Sequence, residues 1–181
     1  MRAVLSIGSN MADRLRLLHT VYTEFAVDIV AASSVYATPP WGVTDQGDFL
    51  NAVLIVDVEH TPKDLLRRGQ RLEEAADRRR VRHWGPRTLD VDIVQLVDAH
   101  GSEIRSTDPE LTLPHPFAHE RAFVLIPWLE ADPAATLNGR GVQEYIDKLG
   151  ADEVAGVRSL GDMDTLLGRA DFAADSTGSA P

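Results

Sequence analysis

The spacing of apolar residues changes along this chain, and the changes mark its elements. Ala3-Val4-Leu5-Ser6-Ile7 reads as a short strand, followed by Gly8-Ser9-Asn10 as a turn. Leu15, Leu18, Val21, Tyr22 and Phe25 recur at helical spacing, which predicts an amphipathic helix over about 13–25. Residues 28–36 are β-branched and apolar enough for a second strand. Thr38-Pro39-Pro40-Trp41-Gly42 stops it, because consecutive prolines lack amide donors and fix φ. A loop runs to Asp48, and residues 49–58 are strongly strand-like. Thr61-Pro62 then opens a helix in cap-then-proline order, with Leu65, Leu66, Gly69, Leu72, Ala75 and Ala76 on its apolar side. An Arg-rich connection reaches Trp84-Gly85-Pro86, and residues 89–97 form a further strand. Beyond a loop carrying Pro114 and Pro116, helices are expected over 120–130 and 141–149.

This order, β-α-β-β-α-β and then more helices, fits an α+β fold. The expected arrangement is a ferredoxin-like antiparallel sheet with helices on one face, plus C-terminal helices. A doubly wound sheet needs regular β-α alternation, which the adjacent strands around the Pro-Pro loop oppose. A length of 181 residues suits one domain, taken as 1–168. From Arg169 the chain is small and polar, so 169–181 is expected to be a disordered tail.

Composition narrows the function classes. No apolar run approaches the roughly 18–20 residues that span a bilayer. The N-terminal stretch is too soon broken by polar residues for a signal peptide. The chain has no cysteine, which excludes disulfides, thiolate metal sites and thiol nucleophiles, and a cytoplasmic location is expected. A net charge of −10 opposes general nucleic-acid binding. Within that acidic whole, Arg67, Arg68, Arg71, Arg78, Arg79, Arg80, Arg82 and Arg87 crowd one stretch. Such a cluster is either a solvated helix face or a surface for a compact anion such as a nucleotide triphosphate.

Asp90-Val91-Asp92 lies in a strand, where period-two geometry sends both carboxylates to one face. Leu89, Ile93 and Val94 imply burial, and two buried carboxylates repel unless a cation intervenes. All-oxygen ligands favour Mg²⁺, which takes one or two carboxylates with substrate phosphates and waters. Arg87 follows a rigid Gly85-Pro86 turn and supplies a fork of donors suited to phosphate. Cations and carboxylates converging on one cleft is what phosphoryl-type transfer requires. No P-loop Gly-x-x-x-x-Gly-Lys pattern occurs, nor the protein-kinase elements, so that chemistry needs another scaffold.

The segment His83-Trp84-Gly85-Pro86-Arg87-Thr88-Leu89-Asp90-Val91-Asp92 resembles the signature of the 6-hydroxymethyl-7,8-dihydropterin pyrophosphokinases. Four further blocks agree in order: Ile7 to Asn10, Tyr36 to Gly42, Phe49 to Ala52, and Leu111 to Pro116 with His119 to Leu125. The resemblance implies transfer of the β,γ-pyrophosphoryl group of ATP to the pterin's 6-hydroxymethyl oxygen, with AMP released, in folate biosynthesis. It implies two Mg²⁺ ions on Asp90 and Asp92, with Arg78 and Arg87 on the phosphates and Arg80 or Arg82 assisting. Gln70, Glu73, Thr112, His115 and Arg121 match nucleotide-contacting positions. Phe49 and Phe123 match the two aromatics that sandwich the pterin. Asn51, Thr38 and the backbone of Pro39 to Gly42, with Trp41, match its edge, and Trp84 walls the pocket. His83 stands where the signature usually begins with Arg, and Glu110 where some members carry Arg.

The expected partners are therefore two small molecules, ATP and 6-hydroxymethyl-7,8-dihydropterin, with no nucleic acid and no membrane, and a monomer suffices. Two other readings remain open on the residues alone. One is a different Asp-x-Asp metal-dependent nucleotidyl or glycosyl transferase. The other is a ferredoxin-like RNA-binding module using the Arg-rich stretch, which the net charge opposes.

Overall fold

A computed structural model of the chain describes residues 1–10, 13–39, 47–78 and 89–176. Its first half runs β1 (Arg2–Ser9), α1 (Arg14–Glu24), β2 (Ile29–Ala32), β3 (Val35–Thr38), β4 (Phe49–Asp57), α2 (Pro62–Arg78) and β5 (Asp90–Val97). The second half runs β6 (Ser106–Asp108), β7 (Leu111–Leu113), α3 (Ala122–Ala131), β8 (Thr136–Leu137) and β9 (Arg140–Gly141). It continues through α4 (Val142–Ile146), α5 (Ala151–Gly156), β10 (Arg158–Gly161) and α6 (Met163–Ser176). The main sheet follows the order β10-β3-β4-β1-β5, with β2 also paired to β4, and every pairing in it is antiparallel.

Alternation along the central strands builds two cores. Ala3, Leu5 and Ile7 of β1 join Leu50, Ala52, Leu54 and Val56 of β4 on one face, against Leu17, Leu18 and Val21 of α1 and Leu65 of α2. Val4, Val53, Ile55 and Val94 point the other way, against Val124, Leu125 and Trp128 of α3. α1 and α2 thus share one face as expected, joined there by Met163 of α6, while α3 and α4 cover the opposite one. α3 is apolar almost all round because it lies between the sheet and α4.

Local chemistry sets the helix starts. The Asp13 carboxylate accepts the Arg16 amide at 3.2 Å to cap α1. Thr61 Oγ1 accepts the Asp64 amide at 3.2 Å, with Pro62 as the first residue of α2. Gly69 allows α2 an unusually close approach to β5, since a Cβ there would lie 3.2 Å from Val91 Cγ1. One turn later, Glu73 Oε1 accepts the Val91 amide at 2.8 Å.

Four expectations need revision. Gly8 and Ser9 do not form a turn: β1 continues through them, because Gly8 is laddered to both Asn51 and Asp90. The single strand expected over 28–36 divides at Ser33-Ser34. There Ser33 Oγ, rather than a backbone carbonyl, accepts the Val53 amide at 2.9 Å, and the Ser34 amide turns to Glu130 Oε2 at 2.9 Å. Part of the arginine cluster is structural. Arg68 stacks on Phe25, 4.0 Å from the ring centre, and pairs with Asp28 at 2.6 Å and Glu24 at 2.8 Å. The segment read as a tail from Arg169 is helical as far as Ser176.

Glu130 ties α3 to β3 by accepting from Ser34 Oγ at 2.7 Å and the Tyr36 hydroxyl at 2.8 Å. Burial first, and this bond second, push the Tyr36 phenol up to about 12. Trp128, on the same helix, is the largest fully buried side chain among the described residues. Trp128→Ala is expected to lower unfolding free energy in urea titration by about 3–5 kcal/mol. A loss below about 1 kcal/mol would contradict the two-sided core, since surface substitutions cost no more than that.

Candidate active site

The candidate residues gather at one end of the sheet, on the face shared with α3. Asp90 sits opposite Gly8 and Asp92 opposite Ser6 across the β1–β5 pairing. Asn51 of β4 is opposite Gly8 from the other side, and Phe49 is opposite Thr38 of β3. Small residues on β1 between these larger neighbours leave a trough. A cavity of about 920 Å³ opens over it, lined by Thr38, Pro39, Phe49, Asn51, Asp90, Asp92, His115, Arg121 and Phe123 among the residues expected there.

One end of the cavity is anionic with cationic neighbours. Arg121 Nη1 lies 3.5 Å from Asp92 Oδ2, and its guanidinium carbon is 5.7 Å from the centre of the Phe123 ring. His115 follows β7 and hangs from β5 through its own amide, which donates to the Val94 carbonyl at 2.8 Å. Burial lowers the pKa of its imidazole, opposed by Asp92 and assisted by Arg121. His115 Nδ1 accepts the Phe117 amide at 3.2 Å, so the neutral ring carries its proton on Nε2 as a donor for a ligand.

The other end is built from amides and rings. Asn51 is buried, and its Nδ2 donates to Thr38 Oγ1 at 2.7 Å. Gly8 makes room for this amide: a Cβ at residue 8 would stand 2.9 Å from Asn51 Oδ1. Asn51 therefore keeps Oδ1 as an acceptor over the trough. Phe49 and Phe123, from β4 and α3, are both half-buried and both face the cavity. Asp48, just before Phe49, is held from two sides: its carbonyl by Arg14, and its carboxylate by Arg158 at 2.8 Å.

Other expected residues fall elsewhere. Gln70 is exposed on α2 and does not line the cavity. Glu73 grips the amide of Val91, between the two carboxylates, and acts on β5 from its edge. Thr112 is exposed, with its hydroxyl donating to the Asp108 carbonyl at 3.2 Å. Arg78 is the last residue of α2. Trp41, Arg80, Arg82, Trp84 and Arg87 lie outside the described residues. The cavity also has lining that the sequence did not announce: Phe117 and Glu120 beside α3, and Asp152, Glu153, Gly156 and Val157 from α5 and the residue after it. Only the helical spacing of Glu153, Gly156 and Val157 could have hinted at that wall.

The donor set suits magnesium. Asp90 and Asp92 offer oxygen alone, on one face of one strand, and among the described residues no third acidic, His or Cys side chain completes a protein-only metal cage. A cation held by two carboxylates keeps coordination positions for waters and phosphate oxygens. Beside it lies a slot of two aromatic rings and one amide, the furniture of a flat polar heterocycle.

The family model described as 7,8-dihydro-6-hydroxymethylpterin-pyrophosphokinase matches residues 4–133. A 2-amino-4-hydroxy-6-hydroxymethyldihydropteridine pyrophosphokinase of Mycobacterium bovis is 46% identical over 156 residues, 83% of each chain. One of Methylorubrum extorquens is 42% identical over 152 residues, covering 82% of this chain and 93% of its own. In three dimensions the chain is similar to the wild-type HPPK-DHPS of Plasmodium falciparum, with a TM-score of 0.57 at 13% identity. That match covers 81% of this chain and 44% of the longer one, and it bears on fold alone. Matched by the family model over most of its sheet and by relatives across four fifths of its length, the chain belongs to the 7,8-dihydro-6-hydroxymethylpterin-pyrophosphokinase family.

Proposed function

We propose that this protein transfers the β,γ-pyrophosphoryl group of ATP to the 6-hydroxymethyl oxygen of 7,8-dihydropterin, releasing AMP, as a step of folate biosynthesis. The observation that carries the proposal is one cavity holding both a same-face carboxylate pair and an aromatic-amide slot, in a chain of this family. The hydroxymethyl oxygen attacks the β-phosphorus, the bond from that phosphorus to the α,β-bridging oxygen breaks, and AMP leaves with the α-phosphate. Two Mg²⁺ ions on Asp90 and Asp92 would supply charge neutralisation at the triphosphate.

The chain's own part is positioning. Phe49 and Phe123 hold the pterin ring flat, and Asn51 Oδ1, with Thr38 and Pro39, reads its edge. Arg121 and the His115 Nε2–H face the nucleotide's phosphates and base. Glu73 keeps β5 in place at Val91, so both carboxylates stay aimed at the cavity. Arg78, Arg80, Arg82 and Arg87 complete the phosphate contacts, with Gln70 and Thr112 on the nucleotide's outer side and Trp41 and Trp84 on the pterin's.

The proposal includes a single pyrophosphokinase domain over 1–168, with β1-α1-β2/β3-β4-α2-β5 as a ferredoxin-like unit. The antiparallel order β3-β4-β1-β5 supports that unit. On this reading the protein acts as a monomer on two small molecules. Among the described residues no helix is long and apolar enough to cross a membrane. The cysteine-free composition supports action in the cytoplasm.

Incubation with ATP, Mg²⁺ and 6-hydroxymethyl-7,8-dihydropterin is expected to yield AMP and a pterin diphosphate by chromatography. ADP as product would sink the proposal and favour another Asp-x-Asp transferase. Asp90→Asn and Asp92→Asn should each lower kcat by on the order of 10²-fold or more with the fold retained. Full turnover in either variant would remove the metal site from the mechanism.

Gly8→Ala tests the pterin end. Its Cβ displaces the Asn51 amide, so calorimetry should show pterin affinity down by about tenfold, the worth of one buried hydrogen bond. Binding of a non-hydrolysable ATP analogue should be unchanged. Unaltered pterin affinity would show that Asn51 does not read the ring.

A further inference from the structure

One wall of the cavity comes from a segment beyond residues 4–133, the part matched by the family model. Glu153, Gly156 and Val157 line the cavity, and their spacing of three and four places them on one helical face. This wall is fastened to the elements that carry the aromatic-amide slot. Glu153 Oε1 accepts the Ala122 amide at 3.2 Å, next to Arg121 and Phe123. Gly156 lies against the Pro39 ring, whose Cγ and Cδ would be 3.5 Å from a Cβ at residue 156. Beyond α5, Arg158 reaches Asp48 at 2.8 Å, and β10 is laddered to β3 through Ala37 and Tyr36.

Glu153 is half-buried in this wall. Its bond to Ala122 anchors Oε1, and Oε2 has no partner among the described residues. Asn51, which lines the same cavity, has spent its Nδ2 on Thr38 and presents Oδ1. The cavity therefore offers acceptors from two separate elements, β4 and α5. A 2-aminopyrimidin-4-one edge carries an exocyclic amine beside a ring N–H, two adjacent donors that complement a carboxylate. The corresponding 2,4-dioxo edge would turn a carbonyl oxygen toward the same anion.

We propose that Glu153 is a specificity-determining residue, whose carboxylate accepts from the amino-pyrimidinone edge of a ring held between Phe49 and Phe123. The proposal rests on the pterin reading above and names the group that would tell a 2-amino ring from its 2-oxo counterpart. A site built to pair a donor rejects the analogue that lacks it, because its own polar group is then left unpaired.

The test is calorimetry on the full chain, saturated with Mg²⁺ and a non-hydrolysable ATP analogue. It is titrated with 6-hydroxymethyl-7,8-dihydropterin and with the 2-oxo analogue. The unmodified protein should prefer the 2-amino ring by about tenfold or more. In Glu153→Gln the carboxamide oxygen can still accept from Ala122, so the thermal midpoint should hold. Its NH₂ group donates to the 2-oxo carbonyl and finds no acceptor in the 2-amino group, so the preference should collapse to parity or reverse. Glu153→Ala, which removes both acceptors, should lose the preference too, with nucleotide affinity unchanged in each variant. Retention of the full preference in either folded variant overturns the role of Glu153 and leaves the pterin reading standing. Binding of neither ring by the unmodified protein overturns the pterin reading itself.

Discussion

Alternate residues of β5 serve opposite sides of the sheet, and the rest of the structure is organised around that alternation. Val91 and Ile93 are buried with the α1–α2 core, while Asp90 and Asp92 face the cavity. A slip of one residue would exchange the two sets. Each buried aliphatic side chain contributes about 1.5–3 kcal/mol, and burying an unpaired carboxylate costs more than that, so both terms favour the same register. Glu73 on the Val91 amide and Gly69 against its side chain hold the strand from α2. Gly8 and Ser6 on the neighbouring strand are small enough to leave both carboxylates on the cavity wall.

A fixed strand is half a site, and α3 supplies the other half. The helix is apolar enough to be driven onto the sheet without direction, so polar contacts at its two ends set where it comes to rest. Glu153 accepts the Ala122 amide at its start, and Glu130 near its end receives Ser34 and Tyr36 from β3 and its approach. Between these points the helix carries Phe123 over the trough. The width of the slot is therefore governed by β3 and α5 as much as by the strands that line its floor.

What could be read from the sequence follows from how local the cause is. The same-face carboxylates needed only the period of a strand, and α2 announced itself through Thr61-Pro62. The break between β2 and β3 depends on Ser33 Oγ substituting for a carbonyl and on Glu130, ninety-six positions from Ser34. No window of local spacing contains that pair. Gly8 read as a turn because glycine usually marks one, yet here its missing side chain accommodates a neighbour's amide. Arg68 belonged to a cluster that suggested anions, and its stacking on Phe25 became visible only once α1 and α2 were side by side. The α5 wall is short and polar, so its part in the cavity is a property of packing alone.

The two ends of the cavity meet at Arg121. Its guanidinium neighbours Asp92 at 3.5 Å and the Phe123 ring at 5.7 Å, so the chain carries its own counter-ion for Asp92 at the anionic end of the cavity. The strength of that pair decides what it can do. Both side chains are about a third exposed or more, and the contact is long, so solvent screening leaves it worth only about 0–1 kcal/mol. On the proposed reading, a divalent cation at Asp92 would compete for the same oxygen with twice the charge, and so weak a pair would yield to it at little cost. The guanidinium so released would be free to take the phosphate oxygens of the proposed nucleotide as its next partner. A tight bidentate pair would have closed the site against its ligands; a loose one gives Asp92 a counter-ion and yet leaves its oxygen available.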